Sequence, residues 1–166
     1  EDVIALAYHV DYWDYIGWAD KFALAQFTDR QRAYAKAVGS RTIYTPQLII
    51  GGADRIEGFA PKETAERLRD HLKAGTTVRL TVTREGDRLV IRAEADPPLT
   101  EPVRVQLVRY KPEETVMIER GENAGKTVDY TQIVTGRQML GMWDAEAGTH
   151  LKLPLSAITS SGGNGA

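Results

Sequence analysis

The sequence predicts an α/β half followed by an all-β half, with the change near residue 75. Three observations carry this. The run "VIALAYHV" at residues 3–10 is almost continuously apolar, the composition of a strand covered on both faces. Two segments with helical spacing follow, punctuated by Gly and Pro. From Thr76 onward the apolar period falls from 3.6 to 2.

Composition sets the outer bounds. A chain of 166 residues, 42% hydrophobic and 27% charged, is long enough for one domain or two small ones. Its net charge of −2 supplies no basic field to recruit nucleic acid or an anionic surface. No apolar run approaches the roughly 20 residues of a membrane span. Cysteine is absent, which removes disulfides, thiolate catalysis and cysteine-bound metals from these residues. Nothing in the pattern calls for a cofactor. The first ten residues start acidic and lack the basic region of a signal peptide. A fold seldom opens on a central strand, so the expectation is that further residues precede it.

The elements follow in order. After the strand at 3–10 comes the aromatic stretch "YHVDYWDYIGW" (8–18), then a helical turn or two around 19–27. Thr28 opens "TDRQ", the pattern of a capping box closed by Gln31. Phe27, Gln31, Tyr34 and Val38 share one helical face, and Gly39 suits the residue just past the helix end. "RTIYTPQLII" (41–50) is a strand with a proline near its start; "GGAD" turns it into a short antiparallel partner, "RIEGF" (55–59). Pro61 fits a first helical position, with Ala65, Leu68 and Leu72 as an apolar stripe and Gly75 as the stop. "VRLTVTR" and "LVIRAEA", joined by "EGDR", form a hairpin over 77–95. "VRVQLVRY", "TVMIER", "TVDYTQIV" and "HLKLPL" supply further strands, five to seven in all, and "SSGGNGA" has linker composition. The expected division is 1–75 as α/β domain, 76–158 as a small antiparallel, sandwich-like β domain, and 159–166 as flexible tail.

Four stretches could carry chemistry. His9, Asp11 and Asp14 are metal-ligand types, but their spacing matches no ligand pattern, and no metal is expected. Asp11 and His9 could instead form a general-base pair. Tyr12 and Trp13 are amphipathic plates, equally suited to capping a core or flooring a peptide groove at a strand end. "RGENAGKT" (120–127) fails as a P-loop: Gly121 and Gly125 are three residues apart rather than four, and a strand-like run follows. It is better taken as a hairpin turn, with Asn123 and Gly125 at positive φ. "ERLRDH" and "KPEE" are solvated charge runs, and "RQMLGMW" a sheet face.

"ALAYHVDYWDYIGWAD", "FTDRQRAYA", "YTPQLIIGG" and "GENAGKT" resemble the DUF1223 family of bacterial thioredoxin-like proteins. The resemblance implies a thioredoxin-like mixed sheet whose first strand and helix, with a Cys-x-x-Cys-type motif, would lie before residue 1. It implies thiol–disulfide oxidoreduction in a full-length protein, a periplasmic or secreted location, and a cis Thr45–Pro46 bond beside the site. The candidate binding residues are thus Thr45, Pro46, His9, Asp11, Tyr12 and Trp13, with no catalytic residue in this chain. The expected partner is a peptide or protein substrate; the alternative reading is a non-enzymatic peptide-binding module.

Overall fold

The computed structural model describes residues 3–143 and 149–159. A 3-10 turn lies at Asp14–Ile16. The helices are α1 (Ala25–Ala37), α2 (Pro61–Ala74) and α3 (Leu155–Thr159). The strands are β1 (Gln47–Ile50), β2 (Asp54–Glu57), β3 (Val78–Glu85), β4 (Arg88–Ala95), β5 (Val103–Met117), β6 (Thr127–Trp143) and β7 (Thr149–Pro154). They form three antiparallel sheets, β1–β2, β3–β4–β7 and β5–β6. No helix among the described residues is long and apolar enough to cross a membrane. Residues 160–166 of the expected tail lie outside the described residues.

The expected mixed sheet is corrected. Residues 3–10 form no ladder, meeting β6 through one parallel bridge, Ala7 to Ile133. Its hydrogen bond runs from the Ala7 N–H to the Gln132 carbonyl at 2.8 Å. Val3 and Ile4 remain exposed. An apolar run reports that a segment can be covered, and here the cover is incomplete.

The chain divides into two compact units: Glu1–Gly75 with Lys111–Ile133, and Thr76–Tyr110 with Val134–Ala166. The β5–β6 pair thus contributes to both units, through strands of 15 and 17 residues that absorb four of the shorter runs read from the sequence. "KPEE" lies inside β5, with Lys111, Pro112 and Glu113 exposed as a solvated charge run should be. There Glu114 accepts hydrogen bonds from Lys21 and Lys111.

In the first unit α1 starts earlier than the capping pattern indicates. Leu24 occupies the N-cap without a side-chain bond, and Thr28 sits inside the first turn. Phe27, Thr28, Gln31 and Ala35 are its buried residues, one stripe at helical spacing. Tertiary partners claim the Thr28 and Gln31 side chains, so neither reaches back to cap. Gly39, at φ +72°, ends the helix as its position implies. The Thr45–Pro46 bond is cis, and so is Asp96–Pro97. β1 begins just after Pro46, shorter than the run 41–50, and pairs with β2 from Gln47↔Glu57 to Ile50↔Asp54. Gly51 and Gly52 turn the chain at φ +58° and +76°. α2 has Pro61 at its start and Gly75 as its cap, but turns Thr64, Leu68 and His71 inward while Leu72 is exposed.

The second unit is built on the hairpin over 78–95. Gly86, at φ +62°, and Asp87 close the turn between Glu85 and Arg88. β7 pairs on the far side of β4, so β4 is central, and Val90, Ile91 and Ala93 are buried. β3 is the edge strand, with Leu80 and Val82 exposed. A short helix, α3, follows β7 at residues that the sequence pattern assigns to the end of the β domain.

Burial separates two classes of substitution. Phe27 is 1% exposed and Leu80 is 60% exposed. Phe27→Ala is expected to destabilise the first unit by about 3–5 kcal/mol, and Leu80→Ala to change stability by no more than about 0.5 kcal/mol. Urea denaturation followed by circular dichroism measures both.

Candidate functional site

The stretch 8–18 is held by its own main chain and by α1. The Asp14 N–H donates to the Asp11 carbonyl and the Ile16 N–H to the Trp13 carbonyl, both at 3.1 Å, making the 3-10 turn. Gly17 ends it at φ +104°, a conformation that side chains rarely adopt. Gly121 has φ +79° and lies against Trp18. This explains the "GENAGKT" turn: Gly121 and Gly125, rather than Asn123 and Gly125, take positive φ. The Asn123 side chain accepts from Lys126 instead.

Two of the six candidate residues brace the loop. Asp11 and Thr28 are doubly bonded: the Thr28 hydroxyl donates to Asp11 Oδ1 at 2.5 Å and accepts from the Asp11 N–H at 3.3 Å. The Tyr12 hydroxyl donates to Gln31 Oε1 at 3.1 Å, and Gln31 Nε2 donates to the Tyr44 carbonyl at 2.5 Å. Thr28 and Gln31 are buried polar residues, so these bonds offset their desolvation. The circuit closes through Trp13, whose indole N–H donates to Thr45 Oγ1 at 2.8 Å.

The other four, His9, Trp13, Thr45 and Pro46, line a cleft of about 970 Å³ within the first unit. That is the scale of a ligand pocket. Val3, Ile4, Leu6, Leu48, Ile50 and Leu68 make its apolar wall. Trp13 is 45% exposed, tilted against Tyr12 and stacked on Tyr15 at 6.4 Å.

His9 does not pair with Asp11. Its Nδ1 lies 2.5 Å from Asp20 Oδ2. Asp20 Oδ1 accepts from the Phe22 N–H at 2.9 Å, and the Asp20 N–H donates to Asp14 Oδ1 at 3.1 Å. Burial works to raise the Asp20 pKa, but the bonds from His9 and Phe22 and the nearby positive charges outweigh it, leaving the carboxyl below its ordinary value. Tyr130 packs edge-on against the His9 ring at 5.0 Å. Its pKa is raised, first by burial and then by the Asp20 charge. Asp20, Gln47 and Tyr130 therefore belong to the cleft, although nothing in the sequence ties residues 11, 38 and 121 positions away to His9. No group of three or more His, Cys, Asp or Glu placed to hold a metal occurs among the described residues; His9 and Asp14 are bonded to Asp20, and Asp11 to Thr28.

Gln31→Leu strands the Tyr12 hydroxyl and the Tyr44 carbonyl together. It is expected to lower stability by about 1–3 kcal/mol in urea denaturation, and Tyr12→Phe by about 1 kcal/mol. For Asp20 the depressed pKa means that the stabilisation is present above the ordinary carboxylate range and is lost as pH falls through the lowered folded value. Asp20→Asn is expected to flatten that acid-side decline when unfolding midpoints are measured against pH.

Comparison with known proteins places the chain. No curated protein matches it. A crystal structure of a structural-genomics target from Agrobacterium tumefaciens is similar, with TM-score 0.78 and 32% sequence identity. The match covers 95% of this chain and 67% of that one. The model of the family described as "Protein of unknown function (DUF1223)" matches residues 1–166, and the chain belongs to that family.

Proposed function

We propose that the first unit binds an extended apolar peptide strand in the cleft, by adding it to the free edge of β1. One observation carries this reading: β1, with one edge free, and the segment 3–10, which joins no ladder, border the same cleft. β1 is paired only with β2, and the main chain of residues 3–10 is bonded among the described residues at Ala7, to the Gln132 carbonyl, and at His9, whose carbonyl accepts from the Leu24 N–H. An inserted strand finds main-chain donors and acceptors along these edges and an apolar wall for its side chains. Gln47 Nε2, which borders the cleft, is enclosed and has no hydrogen-bond partner among the described residues; a carbonyl of the occupant would supply one. Trp13, tethered to Thr45, forms the rim.

The order α1–β1–β2–α2, with Pro46 at the head of β1, supports a second reading that is compatible with the first. The unit then corresponds to the later part of a thioredoxin-like fold in a periplasmic or secreted protein. Thiol–disulfide exchange would use cysteines supplied from outside these residues, since this chain has none.

The direct test is calorimetric titration with an eight-residue peptide alternating Val and Thr, beside the same peptide N-methylated at alternate residues. Saturable binding by the first and loss of binding by the second are expected. Trp13→Ala is expected to weaken binding about tenfold, or about 1.4 kcal/mol. Its unfolding midpoint should stay near that of the parent, because the indole is half exposed. Equal binding of the methylated peptide would refute strand addition.

A further inference from the structure

The His9–Asp20 pair has the geometry of an oriented base, and neither the brace around α1 nor strand addition uses it. Asp20 is fixed by main-chain bonds at both ends, from the Phe22 N–H and to Asp14. A carboxylate held there accepts a hydrogen bond from His9 Nδ1–H, so the lone pair of the neutral ring lies on Nε2. Nε2 has no hydrogen-bond partner among the described residues, and the ring borders the cleft. Phe22 and Tyr130 hold the ring edge-on at 5.5 and 5.0 Å, which fixes its plane. Tyr130 borders the cleft as well and keeps its proton through the neutral pH range, as a hydroxyl donor beside the base. The charged groups nearby are Asp14, bonded to the Asp20 main chain, Lys21, which adds positive charge near Asp20, and Arg30, which lies over Tyr8.

We propose that His9, positioned by Asp20, accepts the proton of a cysteine thiol carried by the strand that occupies the cleft, and holds it as a thiolate–imidazolium pair. This rests on the strand-binding reading above. The choice of thiol follows from acidity. A free thiol titrates about two pH units above imidazole, a gap that an adjacent imidazolium closes. Tyrosine and lysine lie roughly 3.5 to 4 units above imidazole, further than the pair can bridge at rest. In the step, the S–H bond breaks, its proton goes to Nε2 and its electron pair stays on sulfur. Asp20 remains ionised, and nothing is oxidised or reduced. With no cysteine in this chain, the sulfur arrives on the occupant.

The test uses the Val/Thr peptide with one cysteine moved through successive positions, titrated by thiolate absorbance with and without the protein. At one register the bound thiol is expected to titrate at least about one pH unit below the free peptide, a tenfold gain in acidity. With peptide raised to saturation for each variant, His9→Gln should restore the free-peptide midpoint, and Asp20→Asn should move the midpoint part of the way back. A bound peptide that titrates like the free one at every register, or a shift that survives His9→Gln, overturns the proposal. Failure to bind any peptide overturns the strand-binding reading and this proposal with it. Nitrogen-15 NMR of the histidine rings tests the base independently of any peptide. Nδ1–H with a bare Nε2 is expected at His9, and the opposite tautomer refutes the assignment whatever the peptide does.

Discussion

Burying Gln31 and Thr28 on the inner stripe of α1 is the constraint on which the first unit depends. An amide or hydroxyl removed from water needs partners in fixed places. Thr28 finds both of its partners on Asp11, and Gln31 uses one end on Tyr12 and the other on the Tyr44 carbonyl. Those partners lie on two separate loops, 11–13 and 44–46. One helix face therefore sets the position of each loop, and the Trp13–Thr45 bond ties the loops to one another. The head of β1 follows directly from Pro46, so the open strand edge is placed by the same two buried side chains.

This division of labour explains which parts are legible in the sequence. Local backbone requirements are: Gly39, Gly75 and Gly86 stand at positive φ where turns and helix ends are expected, and Pro61 starts α2. The hairpin over 78–95 is also legible, because period-2 alternation and a two-residue turn are encoded within 18 residues. Thr28 is misread by pattern alone, because a capping box and a buried polar stripe use the same residue types. Only the position of Asp11, 17 residues away, decides between them. The run 3–10 is misread for a related reason: apolar composition shows that a segment can be buried, while a ladder needs a partner that no single segment specifies.

The candidate site shows the same limit more sharply. The Thr45–Pro46 bond is cis, as the family resemblance implies. The partner of His9 is not implied in this way, since Asp20 is reached only after the 3-10 turn brings the chain back to put its carboxylate on Nδ1. Asp11, nearer in sequence and equally acidic, is already committed to Thr28. Proximity along the chain cannot resolve two aspartates competing for one histidine. The decision rests on which of them a buried hydroxyl requires.

The density of aromatic and acidic residues in "YHVDYWDYIGW" then has a physical explanation. Tyr8 meets Phe27 edge-on at 5.1 Å, and both border the cleft together with His9. Asp11 and Tyr12 satisfy α1, Trp13 crosses to Thr45, and Asp14 holds the main chain of Asp20. Cleft wall, brace, rim and base orientation thus alternate at intervals of one or two residues along a single loop. A loop loaded this way has few neutral positions. Yet the roles separate by side chain: Asp11, Tyr12 and Asp14 satisfy polar groups of the loop and of α1, whereas His9 and Trp13 border the cleft, Trp13 also tying the loop to Thr45. Stability and recognition are adjacent in this sequence without being the same property.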